Sequence, residues 1–454
     1  MKKYILIILC CLTSFPLWSY NVNMIVEHYS VDQGLPNNTV NCTLKDRDGF
    51  IWFGTWYGLC CFDGVKFKTF NKQEHDSDVP PRKIQRIVED KNGYIWVKTI
   101  DRKLYVFNKV TECFHAVYDD MKNYSENIQV IKLQNTAEGD VLLLTKDKNL
   151  LLAGVDEKGQ VTIKILFDSR NEINKHDYTL KHHVLCETEE YISWIGTDYK
   201  VAAVHKGSEL ASRPADFITS KINSGDKDSF TSFFEDGRKV WVGDRAGIFY
   251  SIDVRTGLVN RYVLSEIKGA ISNLLVTPAG YVYLSVAGQG TYEYDLAERR
   301  LQKINTEMND AMVTHAFIDQ YDKIWFHENE KALIYYDPLN HTAKRFPFTM
   351  FGKITTLYSE DAGERGLFFL SPAGEAWLFD REHAEMVYIN KLKQLSNDRA
   401  NQQFYHLMLD NDGVLWLSSA DEGVYCMNFP KKQFNLLSLS PQSAGQENYT
   451  IGVR

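Results

Sequence analysis

The sequence predicts an all-β protein built from repeated four-stranded units, and three observations carry that prediction. First, one short motif recurs: an Asp/Gly-rich turn, then a strongly β-prone run centred on an aromatic residue. It is clearest at Asp46, Gly49, Ile51, Trp52 and Phe53, and again at Asp90, Gly93, Ile95, Trp96 and Val97. Asp bonds its own backbone and Gly tolerates positive φ, so the pair makes a tight turn, while Ile, Trp, Phe and Val suit a strand. Second, the anchors at the motif's aromatic position are Trp52, Trp96, Leu142, Trp194, Trp241, Tyr283, Trp325, Phe368 and Trp416, spaced by 44, 46, 52, 47, 42, 42, 43 and 48 residues. A period in the forties with about four short strands per unit marks a β-propeller. Third, no segment shows sustained helical periodicity, and no low-complexity linker interrupts the repeats.

In chain order, residues 1–20 read as a secretory signal: Lys2 and Lys3, then an apolar run over residues 4–12, then small and polar residues over 14–19. The run is shorter than the roughly 20 residues a membrane span needs, and no second run in the chain could span. Leu9 before Cys10 argues against a lipoprotein cut. Residues 24–30 form an early strand of the kind that completes the last blade of a closed ring. Residues 33–38 are a loop, and 39–44 begin the first unit. Each unit then repeats one plan: an inner strand such as 84–88 or 230–234, the Asp/Gly turn, the anchor strand, a third strand such as 104–107 or 333–336, and a more polar last strand such as 65–70 or 343–346.

The count of units sets the expected domains. Seven units fill residues 21–348, and seven blades close a ring comfortably. Residues 349–454 then hold two further blades and the start of a third, around 449–454, of a second and incomplete propeller. On this count the chain is the front part of a longer protein. The alternative is a single ring of eight or nine blades.

Composition narrows the function. Aromatic residues are 13% of the chain and the net charge is −8, without long charged runs; nucleic-acid binding usually demands a basic face. Six cysteines follow the signal, at 42, 60, 61, 113, 186 and 426, in no zinc or disulfide framework. They read as small buried apolar residues, with Cys60 and Cys61 on opposite faces of one strand. An oxidising compartment also leaves room for one bridge, from Cys42 to Cys60 or Cys61.

Residues 40–59, with the lead-in 32–38, resemble the two-component regulator propeller repeat. The units around Trp96, Trp241 and Trp416 match it well, the Leu142 unit lacks the Trp, and the Phe368 unit is degenerate. The resemblance implies the periplasmic sensor region of a hybrid two-component system, in which two seven-bladed propellers precede a sandwich domain, a membrane helix and a histidine kinase. It also implies sensing of oligosaccharide and control of polysaccharide-utilisation genes. The chain itself shows no kinase and no phospho-acceptor motif, so no enzymatic activity of its own is expected.

The candidate chemistry is modest. Asp46 and Asp48 invite a calcium loop, but Gly49 stands at the fourth position and no Glu at the twelfth, so the turn reads as structural. The anchor tryptophans read as inter-blade core. Adjacent His182 and His183 point opposite ways on a strand and make no metal site. Trp56 and Tyr57 differ, because they sit in the loop after the anchor strand, where other units carry Arg102, Tyr199, Arg245, Gln289 and Glu328. In a propeller these loops and those leading into the inner strands, such as Asn38, gather on one face. Rings there can stack on sugar C–H faces while polar groups bond hydroxyls or pair with uronate or sulfate. These eight residues are the candidate ligand site; no catalytic residue, metal or cofactor is expected. The partners expected are an oligosaccharide and, in the full-length sensor, a second copy, with the membrane reached only through C-terminal parts. The competing readings are an exported propeller hydrolase or lyase, since acids are plentiful enough for a glycosidase pair, and a protein-binding scaffold.

Overall fold

The computed structural model describes residues 25–70, 80–122, 124, 128–169, 180–188, 190–196, 201–207, 230–304, 313–328, 331–351, 358–361, 363, 366–371, 375–391 and 404–428. The expected signal, Tyr199 and residues 449–454 lie outside these, as do the side chains of His182 and His183.

The local plan is as read. Among the described residues, nine antiparallel sheets follow one another along the chain, eight of four strands and one of three. The first sheet shows the pattern: Val40–Lys45, Ile51–Thr55, Gly58–Phe62 and Phe67–Phe70 pair consecutively. Helix among the described residues is limited to Tyr118–Met121 and two 3-10 turns. Gly54, on the anchor strand, is small for a packing reason. A Cβ there would overlap Cys42 Sγ and the Ile84 side chain, the latter at 2.6 Å. Gly54 therefore lets the second sheet approach the first.

Most inner strands carry one extra residue. The register shifts between Val40 and Cys42, Ile84 and Arg86, Phe230 and Ser232, and Ile271 and Asn273, with like shifts elsewhere. Such a bulge bends the strand and frees the extra residue from the ladder. The freed residue reaches the next sheet. Asn41 Nδ2 donates to Ile84 O at 2.6 Å and Thr231 Oγ1 to Ile271 O at 2.7 Å.

The sheets do not divide at residue 348. Nine apolar clusters fill nine seams. One joins Trp325 and Phe346 of the seventh sheet to Phe369 and Trp377 of the eighth, directly across the expected boundary. The next joins Phe368 to Leu417 and Tyr425. The last joins Trp416 and Cys426 of the ninth sheet to Val40, Ile51 and Phe53 of the first. The early strand Ile25–Tyr29 pairs with Val424–Asn428 and so supplies the fourth strand of the ninth sheet. Among the described residues the ninth sheet thus closes onto the first, making one ring of nine where the spacing had a ring of seven followed by the opening blades of another. The physical reason is the exposed edge: two surplus blades would leave unpaired strands, whereas one early strand on the last sheet covers that edge and brings the ninth sheet against the first.

The anchors sit in these seams. Trp96, Trp194 and Trp325 are fully buried, and Trp52, Trp241 and Trp416 nearly so. Cys60 and Cys61 face opposite seams. Cys42, Cys60 and Cys61 are all free thiols, so the bridge left open by the sequence does not form.

Candidate functional site

The loops after each anchor strand and the segments entering each inner strand share one rim, and backbone hydrogen bonds stitch them together. Gly423 N donates to Asn38 O, Trp56 N to Thr39 O, Lys83 N to Trp56 O, Ile100 N to Lys83 O and Val130 N to Arg102 O, at 2.8–3.2 Å. The relay runs from the ninth sheet through the first and second to the third, and it holds Trp56 in place.

Four predicted residues present their side chains on this rim. Trp56 is 41% exposed and Tyr57 64%, and Arg102 and Arg245 are also exposed. Lys83, which sequence reasoning passed over, holds its ammonium 5.3 Å from the Trp56 ring centroid. Tyr57 N bonds Thr55 Oγ1 at 3.1 Å, which sets the turn.

The other described candidates are engaged within the fold. Asn38 accepts Val31 N on Oδ1 at 2.8 Å, joining the loop that closes the ring. Gln289 accepts Lys268 N at 2.7 Å and donates to Glu266 O at 3.0 Å. Glu328 is 4% exposed and takes two bonds from Arg345, at 3.0 and 3.1 Å. Glu328 is the last residue of its strand and pairs with Val313, as Thr55 pairs with Val40. It is therefore equivalent to Thr55 and not to Trp56. Arg245, Gln289 and Glu328 also belong to the fifth, sixth and seventh sheets, across the ring from Trp56. The structure thus gathers Asn38, Trp56, Tyr57 and Arg102 along neighbouring sheets, and does not bring all eight together.

The opposite rim carries the Asp/Gly turns, and there ion pairs cross the seams. Lys109 Nζ lies 3.0 Å from Asp46, 2.6 Å from Asp48 and 2.8 Å from Glu89. Burial alone would push this ammonium down, but its bonds to Asp48, Glu89 and Asp46 outweigh that and hold it above its ordinary value. These same three acids are close enough to one another to hold a metal ion, and the lysine ammonium occupies that position. Arg381 makes the equivalent lock one seam from the seventh sheet, 2.6 Å from Asp319 and 2.7 Å from Asp361, and stacks over Tyr321.

Residues 34–57 match the family model described as two component regulator propeller, so the first unit is a repeat of that class. No curated protein matches the chain. Among solved structures, the chain is similar to the extracellular domain of the hybrid two component system BT4673 from B. thetaiotaomicron, at 14% identity and a TM-score of 0.36, covering 88% of this chain and 65% of that one. It is also similar to the extracellular domain of the hybrid two component system BT3049 from the same organism, at 14% identity and a TM-score of 0.35, covering 91% and 61%. The chain thus spans less than two thirds of the length of either. A streptogramin B lyase is similar at 10% identity and a TM-score of 0.39, covering 90% of this chain and 99% of that one. Among the described residues, no helix is long and apolar enough to cross a membrane.

Proposed function

We propose that this chain is the ligand-sensing region of an exported two-component sensor that recognises oligosaccharide on the Trp56 rim. The observation that carries the reading is residues 34–57, which match the regulator propeller repeat and end on the exposed pair Trp56 and Tyr57. Large rings beside Lys83 and Arg102, that of Trp56 held by a hydrogen-bonded relay, offer a stacking platform with cations at its edge. In the full-length sensor, held in the inner membrane and paired with a second copy, ligand binding would bias the arrangement of the two subunits and so the kinase beyond the membrane. The test is titration of the purified chain with a panel of plant and host oligosaccharides, followed by calorimetry and product analysis. Binding without turnover, weakened about tenfold or more by Trp56→Ala or Tyr57→Ala, is expected from the loss of one stacking ring. Release of shortened sugars, or binding that ignores both substitutions, would overturn the reading.

A further inference from the structure

The inner strands of four neighbouring sheets line a cavity of about 370 Å³. Its lining comes from inner strands: Thr43 and Lys45 of the first sheet, Arg86 and Glu89 of the second, Asn135 of the third and His406 of the ninth. Closure of the ring is what places His406 opposite Arg86.

The charges in this cavity are unevenly matched. Lys45 is committed to Asp410, at 3.5 Å, and to Asp412. Glu89 is committed to Arg47 and Lys109, at 3.2 and 2.8 Å. Arg86 is exposed to the cavity and has no hydrogen bond or ion pair among the described residues. Its neighbour in register, Lys98, is 6% exposed and has only the Ile131 carbonyl, at 2.5 Å, as partner among the described residues. Burial, then Arg102 and Arg86, hold that ammonium down to about 8. Two further polar atoms of the lining, Thr43 Oγ1 and His406 Nδ1, are buried without a partner among the described residues. Thr43 as a residue is 5% exposed. Burial, then the charge of Arg86, hold His406 down to about 4, so at neutral pH it is a neutral ring able to donate one N–H. Buried polar atoms are almost always satisfied, and orphans call for a reason.

We infer that this cavity binds the acid group of a small ligand, with the Arg86 guanidinium gripping a carboxylate, sulfate or phosphate while Thr43 Oγ1 and His406 Nδ1 complete its hydrogen bonds. A guanidinium presents two parallel N–H donors to such a group, and a hydroxyl and an imidazole add one each. The volume exceeds what an inorganic anion needs and lies at the small end of ligand pockets, which fits an acid of about one sugar ring. The site is independent of the Trp56 rim, so it stands or falls apart from the sugar reading given to that rim.

Calorimetric titration with sodium glucuronate, methyl glucoside and sodium sulfate at fixed ionic strength tests it. Glucuronate is expected to bind, the uncharged glucoside to bind at least about tenfold more weakly, and sulfate to compete with glucuronate, since a charge-assisted bidentate contact is at stake. Arg86→Gln is expected to weaken glucuronate by about tenfold or more while leaving the thermal midpoint of the unliganded chain in place. If that variant fails to fold, Thr43→Val, nearly isosteric, is expected to weaken glucuronate severalfold by itself. Equal binding of glucuronate and glucoside, absence of glucuronate binding, or loss of binding on Trp56→Ala with none on Arg86→Gln or Thr43→Val would overturn the assignment. Direct binding of sulfate with no glucuronate binding would make it a free-anion site and overturn the sugar-ring size.

Discussion

Asp46 Oδ2 accepts the indole N–H of Trp52 at 2.7 Å, while Oδ1 of the same carboxylate accepts Asp48 N and Phe50 N at 3.0 and 2.9 Å. One side chain therefore closes the turn and satisfies the only polar group of the seam's largest ring. The arrangement recurs at Asp90 and Trp96, Asp236 and Trp241, Asp319 and Trp325, and Asp410 and Trp416. Where the anchor is Leu142 or Tyr283, the turn residue is Thr136 or Thr277, whose hydroxyl accepts a backbone N–H of the turn. The Tyr283 hydroxyl instead donates to Glu293, at 2.9 Å.

The Asp90 turn isolates this interaction, because no cation is bonded to its carboxylate among the described residues. Asp90→Ala removes bonds to Asn92 N, Tyr94 N and Trp96 Nε1 at 2.8–3.0 Å and leaves a buried indole N–H unpaired. The expected loss is about 2–4 kcal/mol. Urea unfolding followed by tryptophan fluorescence measures it; a change under about 0.5 kcal/mol would reduce the carboxylate to a surface turn residue.

Lys109 neutralises three acids across the first seam, so Lys109→Met leaves buried Asp46 and half-buried Glu89 without their shared cation. Breaking one partner of such a pair costs about 3–5 kcal/mol, and a comparable loss of unfolding free energy is expected. The pH dependence has a definite sign. The ammonium is held above its ordinary value in the fold, so its contribution is complete below about pH 10.4, the unfolded value, and is lost as pH rises through the folded one. Asp48 is held below its ordinary value by its bond to Lys109. Its contribution is present above about pH 3.9 and fades as pH falls further. Thermal melts between pH 3 and 11 should show both flanks in the parent and a weaker alkaline flank in Lys109→Met. Identical profiles would mean that the lock carries no stability.

The repeat, the turn chemistry and the anchor burial are legible in the sequence because each is local: a few residues specify each blade, and the period repeats them. Closure is not. The pairing of Ile25–Tyr29 with Val424–Asn428 joins the two ends of the described chain, and any blade in the series would present the same kind of edge. How many blades close a ring depends on the wedge of side chains in each seam, which the spacing of anchors does not record. The rim was partly legible for a related reason. Trp56 and Tyr57 follow an unbroken motif, whereas Glu328 stands one position before the equivalent of Trp56, and a one-residue slip moves a side chain from solvent to core. The Arg86 cavity was hidden, because His406 joins Thr43 and Arg86 only after closure and all three lie on bulged strands whose facing direction the alternating pattern misstates.

Thiol chemistry offers a check on seam packing. Burial pushes the Cys42, Cys60, Cys61 and Cys426 thiols up to about 12, whereas Cys113 is only partly buried. At pH 8 a maleimide should label Cys113 well before those four, as read by peptide mass spectrometry, and urea should equalise them. The sign for stability follows. Thiols raised in the fold ionise first in the unfolded chain, so stability should fall as pH rises from about 8.5 towards 12. Rapid native labelling of Cys42 or Cys60 would show that the first seam is open.

The closing pair of strands can be captured directly. Glu27 lies opposite Cys426 in the register that joins the first strand to the ninth sheet, and side chains directly opposite in an antiparallel pair have Cβ atoms about 4.5–5.5 Å apart. Glu27→Cys therefore places two thiols within bridging reach across nearly the whole described chain. On mild oxidation the introduced thiol should form a disulfide with Cys426, identifiable by non-reducing digestion and mass spectrometry, and the bridge should add about 2–4 kcal/mol of stability. Formation of the bridge requires the ninth sheet to stand beside the first strand. A ring closed after the seventh sheet would hold Cys426 elsewhere, and Glu27→Cys would then keep a free thiol, with the Arg86 and His406 cavity dissolving alongside.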